Sequence, residues 1–193
     1  MAVPSPDRAG WMGEVQARIA ARRAAEPAAE REGLRRAGVL VPLFVREGAL
    51  WILLTRRTES VEHHRGQISF PGGSEEETDE DLYATALRES KEELAIAPAD
   101  VIRLGSLSPI VTVTDFYVEP YVAAVPQPYV WHPAEAEIAE VIEAPLGKLM
   151  DPAILEHRTI PGREGTLLFY HFGAHVIWGA TARILSELLA ALA

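Results

Sequence analysis

The chain has no cysteine among its 193 residues. Disulfides, cysteine-based zinc sites and a thiol nucleophile are therefore excluded. Positive charge is scarce: 18 Lys and Arg face 28 Asp and Glu, a net charge of −10 with histidine neutral. Nucleic-acid binders usually present a basic surface, so this balance argues against nucleic acid as a partner. An anionic substrate would need a metal ion or a local cluster of Arg and Lys. No apolar run approaches the roughly 20 residues that span a bilayer, which argues against a membrane partner. The opening MAVPSPDRAGWMGEV lacks the apolar stretch of a secretion signal, so a cytoplasmic protein is expected. Internal repeats and low-complexity linkers are also missing. What remains is 48% hydrophobic and 24% charged, the balance of a globular domain. A chain of this length buries about 70% of its unfolded surface and needs no staple.

Residues 11–36 are rich in Ala, Arg and Glu, with Trp11, Val15, Ile19 and Ala20 at helical spacing. Pro27 divides them into one helix before it and a shorter one ending near Gly38. Two apolar runs, 39–45 and 50–57, flank a short Gly-containing turn and predict a β-hairpin. A polar, Gly-rich segment with a short strand at 67–70 leads into a helix over 79–94. Thr78 and Asp81 have the spacing of a capping box there. The second half predicts strands over 101–107, 110–113, 117–125, 138–143, 154–160 and 166–172. A last helix, 180–192, carries Ile184, Leu185, Leu188 and Leu189 on one face. Strands with helices at intervals predict an α/β or α+β sandwich. The Pro-spaced stretch 125–137 is the longest irregular segment, and such loops are often functional.

From Gly73 to Glu93 there are nine carboxylates against two bases, Arg88 and Lys91. At about 100° per residue, with Glu89 as zero, Glu92 falls near 300° and Glu93 near 40°, so the three share a face. Tyr83, Leu87, Ser90 and Leu94 form the packing face. Like charges at i,i+3 and i,i+4 destabilise a helix by a few tenths of a kcal/mol per pair. A solvated acidic face is one reading. The other is a set of oxygen ligands for a hard cation, Mg²⁺ or Mn²⁺. Pro71-Gly72-Gly73 just upstream supports the second, because glycines let a ligand approach the main chain closely.

The stretch GGSEEETDEDLYATALRESKEELAI resembles the Nudix box, GX5EX7REUXEEXGU with U apolar. Arg88-Glu89 and Glu92-Glu93 match its core, and Glu80, with seven residues between it and Arg88, matches the earlier acid. Three departures stand out: six residues rather than five between Gly73 and Glu80, Ser90 at an apolar position, and Ala95 for the late Gly. The extra residue is similar to the coenzyme A pyrophosphatase branch of Nudix hydrolases, as is LLTRRTESVEHHRGQISFPGG. VIWGATARIL (176–185) is similar to the family's last helix. That branch's upstream motif, SX3RX3GX3FPGG, is imperfect here: Thr58 takes the Ser position and Glu62 the Arg position. A basic contact to substrate would then come from Arg56, Arg57 or Arg65, each of which is otherwise an ordinary surface arginine.

The resemblance implies a Nudix-type α/β/α sandwich with a central mixed sheet, as residues 39–193, with 1–38 a helical segment packed on it. It implies Mg²⁺ or Mn²⁺ held by Glu89 and Glu93, with Glu92 nearby and the Gly73 carbonyl as a further ligand. Gly72 lies against substrate, and Glu80 and Arg88 are structural. The general base is expected outside the box, among Glu135, Glu137, Glu140 and Glu143, with Glu140 preferred and Glu92 the alternative. His63, His64, His132, His157, His171 and His175 read as surface or satisfied residues. Trp131 reads as a packed loop anchor, or as a platform for an adenine. The implied reaction is hydrolysis of coenzyme A, or a derivative, to 3′,5′-ADP and 4′-phosphopantetheine. Other nucleoside diphosphate derivatives such as ADP-ribose or NADH, nucleoside triphosphates, a non-catalytic binding module and a plain interaction domain are the alternatives. Oligomeric state is left open.

Overall fold

Continuous apolar runs build the two central strands, β1 (Arg35–Arg46) and β2 (Ala49–Arg57), joined as the expected hairpin. Val41 and Leu43 of β1 with Ile52 and Leu54 of β2 face one side of the sheet, while Leu40, Phe44 and Leu53 face the other. The computed structural model describes residues 10–22, 33–59, 65–159 and 165–193.

Around the hairpin lie β3 (Ile68–Ser69), β4 (Gly72–Ser74), β5 (Ile102–Ser106), β6 (Ile110–Val111), β7 (Phe116–Ala124) and β8 (Ile138–Pro145). They form a mixed sheet in the order β3-β2-β1-β7-β5, with β8 on β2, β4 on β1 and β6 on β7. Only the β1–β7 pairing is parallel. A separate antiparallel sheet contains β9 (Leu155–Thr159), β10 (Thr166–Phe172) and β11 (His175–Trp178).

Helices cover both faces. Helix α1 (Trp11–Arg22) buries Val15 and Ile19, and α4 (Gly179–Leu192) buries Ile184, Leu185, Leu188 and Leu189, all against the Val41 face. Arg18 of α1 donates to the Leu192 carbonyl. Helix α2 (Leu82–Leu94) covers the opposite face through Leu82, Ala86 and Leu94. It approaches β1 so closely that a Cβ on Gly38 would stand 2.0 Å from the Leu82 carbonyl oxygen. A short α3 (Leu146–Leu149) follows β8. The sheet between two helical layers is the expected sandwich. Among the described residues no helix is long and apolar enough to cross a membrane.

Three local expectations change. Strand β1 starts at Arg35, so no helix runs to Gly38; residues 23–32 lie outside the described ones. Helix α2 starts at Leu82, capped by Asp81, whose side chain accepts from the Ala84 N–H at 2.7 Å; Thr78 caps nothing. Residues 176–178 are strand, paired to β10, before α4 begins.

Candidate active site

The three glutamates on α2 share a side of the helix but differ sharply in environment. Glu92 is 59% exposed, Glu89 19% and Glu93 3%. Ser90 and Leu94 are buried as the helical period predicts, and Tyr83 and Leu87 are only partly so. Burial extends round the helix to Glu93 because β4 and the 125–137 loop both lie against it.

Glu93 accepts from Arg57 Nη1 at 3.2 Å and from the Gly72 N–H at 3.3 Å. Burial pushes its carboxyl up to about 8, opposed by Arg57 and the Gly72 N–H and assisted by Glu89 and Glu137. Glu89 accepts from Arg88 Nη1 at 2.9 Å; burial raises its pKa as well, against Arg88. Its carboxylate occupies the space above Gly73, where a Cβ would stand 2.5–2.8 Å from it. The same Arg88 nitrogen reaches Glu92 at 3.3 Å. Arginines are the near partners of these carboxylates, and among the described residues no three His, Asp or Glu side chains converge on one point.

The main partner of Arg88 is Asp79, not Glu80. Arg88 Nε and Nη2 each donate to Asp79 at 3.0 Å, and Nη2 also donates to the Ser74 carbonyl at 2.9 Å. Asp79 further accepts from the Glu76 N–H and the Thr85 hydroxyl. Arg88, first among these, holds the Asp79 carboxyl down at about 2. Glu80 is exposed. The turn from Glu76 to Asp79 aims Asp79 inward and Glu80 outward. Five residues separate Gly73 from Asp79, so the additional residue falls between the acid and Arg88. Asp79→Ala is expected to cost about 3 kcal/mol by leaving Arg88 without its main partner, and Glu80→Ala less than about 0.5 kcal/mol. Urea unfolding of the two variants checks this, and equal losses would refute the assignment.

The other candidates divide between the two sheet faces. Arg57 lies on the α2 face with Glu93 and with Glu137, 3.4 Å away. Arg56 lies on the α4 face. Register with β8 places Glu140 opposite it, and Glu140 pairs with Arg56 at 2.9 Å and His175 at 3.4 Å. Glu140 thus stands across the sheet from the α2 glutamates and is corrected as a base candidate. Glu143 pairs with Arg46 and Trp131, and Glu135 is exposed. Of the four acids, Glu137 alone joins the Glu93 cluster, from the turn that precedes β8. Arg65 is exposed. His132, His157 and His171 are exposed, and Glu62, His63 and His64 lie outside the described residues.

A cavity of about 550 Å³ opens beside Gly72 and Gly73. Its walls come from Gln67–Phe70, Thr112–Thr114, Phe116, Val118, Trp178 at the end of β11 and the first turns of α4, with Arg57 among the lining residues. Neither Arg56 nor Arg65 lines it. Its size and mostly apolar walls suit a small-molecule ligand.

The NUDIX domain profile matches residues 34–161, more than half of the chain. Two curated relatives, each called "Uncharacterized Nudix hydrolase NudL", come from Cronobacter sakazakii and an Enterobacter species. Each is 39% identical over 159 residues, covering 80% of this chain and 81% of the relative. The crystal structure of a NUDIX hydrolase from Alicyclobacillus acidocaldarius superposes with a TM-score of 0.54 at 16% identity, over 84% of this chain and 93% of that one. A MutT/nudix family protein from Enterococcus faecalis gives 0.51 at 16% identity, over 93% and 72%. These two likenesses speak for the fold alone. The sequence profile and the curated relatives go further, and by them the chain belongs to the Nudix hydrolase family.

Proposed function

We propose that this Nudix hydrolase is a Mg²⁺- or Mn²⁺-dependent pyrophosphatase that cleaves coenzyme A or a derivative to 3′,5′-ADP and 4′-phosphopantetheine. The observation that carries the metal reading is the Glu93 carboxylate, 3% exposed, with Glu89 beside it over a glycine that leaves room for their oxygens. Burying a carboxylate is costly unless a cation compensates. Arg57 and Arg88 already supply part of that compensation, and hard oxygen donors suit a small divalent ion.

Glu89, Glu93 and the Gly73 carbonyl are the residues that would hold the ion. When bound, such an ion neutralises a diphosphate and acidifies water. The remaining steps belong to the chain. Arg57, which lines the cavity, offers its guanidinium to a phosphate oxygen. Gly72 and Gly73 let the diphosphate lie against the main chain. Glu92, the most exposed of the three glutamates, takes the proton from the attacking water. Asp79 and Arg88 hold the loop before α2 in register with the helix.

The coenzyme A reading is supported by where its resemblance lies. Gln67, Ile68, Ser69, Phe70, Gly72 and Gly73, from the HRGQISFPGG stretch, line the cavity, and the two glycines also lie against Glu93 and Glu89. Hydrolysis of coenzyme A in ¹⁸O-enriched water, followed by mass spectrometry, tests substrate and point of attack together. The expected products are 3′,5′-ADP and 4′-phosphopantetheine, one of them labelled, with turnover abolished by EDTA and restored by Mg²⁺ or Mn²⁺. Cleavage of ADP-ribose with coenzyme A left intact would reject the substrate and keep the reaction class.

A further inference from the structure

The last turn of α2 is held by a segment about forty residues away in sequence. Ala95 and Ile96 satisfy the carbonyls of Lys91 and Ser90 within the helix end. The carbonyls of Glu93 and Leu94 instead accept from Ala134 N–H at 2.9 Å and His132 N–H at 3.1 Å. Helix ends leave such carbonyls without intrahelical partners, so the 125–137 loop serves as a tertiary cap. The same loop reaches the Glu93 side chain indirectly. The Ala134 carbonyl accepts from the N–H groups of Glu137 and Ile138, a turn that sets Glu137 against Arg57, which in turn binds Glu93.

Between these hydrogen bonds and the sheet stands Trp131. Its ring stacks on Tyr129, centroids 5.0 Å apart, and lies tilted against Phe44 at 5.9 Å. Its Nε1–H donates to Glu143 at 2.6 Å, and Glu143 takes two further hydrogen bonds from Arg46. Tyr129 is tied to the same helix end, its hydroxyl accepting from the Ala97 N–H at 2.8 Å. A loop without regular structure is thereby fixed at one indole, immediately before the two amides that hold α2.

We propose that Trp131 is a positioning residue for Glu93: through the amides of His132 and Ala134 it sets where the last turn of α2, and so the buried carboxylate, stands. The inference rests on the reading of Glu93 as a cation-holding group. A residue that only fills the core would, when replaced, lower stability without altering cation binding by the folded protein.

The test uses Trp131→Ala and Trp131→Phe, the second keeping a stacked ring but losing the N–H. Ile19→Ala is the control, a buried residue on α1 across the sheet. Mn²⁺ affinity, read from the free-ion electron paramagnetic resonance signal, is expected to fall about tenfold or more in Trp131→Ala and by a smaller factor in Trp131→Phe, as for other groups that orient ligands. Amide exchange at His132 and Ala134 should quicken, and kcat should fall with KM unchanged. Ile19→Ala should lower Tm and leave Mn²⁺ affinity and those two amides as they are. Wild-type Mn²⁺ affinity in both Trp131 variants, or an equal loss in Ile19→Ala, would overturn the proposal. If Trp131→Ala does not fold, Trp131→Phe with Glu143→Gln carries the same comparison. Failure of the underlying reading looks different: Glu93→Gln would then bind Mn²⁺ as tightly as wild type, while exchange at the two amides still decides the anchoring.

Discussion

Glu93→Gln is expected to lower kcat/KM about a thousandfold, equivalent to about 4 kcal/mol of transition-state stabilisation, while the metal-free protein becomes more stable at alkaline pH. The two effects share one cause. A carboxylate 3% exposed is held where folding alone would not choose to put it. Burial raises its pKa from 4.5 to about 8, with Glu89 from α2 and Glu137 from the loop before β8 adding repulsion, and with Arg57 and the Gly72 N–H opposing. Between those two values the folded chain binds more protons than the unfolded chain. The contribution of Glu93 to stability is therefore full below about pH 4.5 and is lost as pH rises through about 8.

Glutamine keeps the shape and an oxygen for the Gly72 N–H but never acquires the charge. Arg57 retains Glu137. The Tm of the metal-free variant should therefore match wild type below about pH 4.5, exceed it increasingly up to about pH 8 and level off above that. Saturating Mn²⁺ should reverse the order at pH 8, because a ligand stabilises only the form that binds it. A variant with wild-type turnover, or with an unchanged pH slope of Tm, would remove Glu93 from the site.

That burial was the least legible property of the site. Helical periodicity places Glu89, Glu92 and Glu93 on one side, and it does so correctly, but angles about a helix treat the three as equals. The difference among them comes from the 125–137 loop and β4, whose contacts with α2 bridge distant parts of the chain. The hairpin of β1 and β2 was legible because two continuous apolar runs flank a short Gly-containing turn. The choice between Asp79 and Glu80 was not, because adjacent acids in a turn point to opposite sides and only the turn's hydrogen bonds decide which turns inward. Glu140 was preferred over Glu137 for a similar reason: Glu137 lies before β8, in a turn closed on the Ala134 carbonyl that brings it to Arg57, and composition carries no trace of that turn. Val176, Ile177 and Trp178 were joined to the last helix only by the family resemblance of 176–185, because a short apolar run fits either period until its partner in β10 is known.

Gly73→Ala should separate catalysis from stability in the opposite way to its neighbour. Gly73 sits in β4 opposite Gly38 of β1, and its backbone is not in the left-handed region, so alanine adopts it without strain. The added methyl would meet the Glu89 carboxylate at 2.5–2.8 Å, the far end of a flexible side chain that can swing away. The fold then loses little, within about 1 kcal/mol. Catalysis loses much more, because the methyl displaces the Glu89 carboxylate, which would hold the proposed cation. A fall in kcat/KM of about a hundredfold is expected, the scale on which a displaced catalytic group acts. At Gly72 a methyl would instead press on the Gly38 carbonyl and the Val39 backbone at 2.5–2.6 Å, from a residue with φ of +153°. Backbone cannot yield as a carboxylate does, so Gly72→Ala should unfold the chain more readily, by about 2 kcal/mol or more. Urea unfolding alongside kcat/KM measures both. If Gly73→Ala turned over like wild type with Glu89 displaced, Glu89 would have no part in the chemistry.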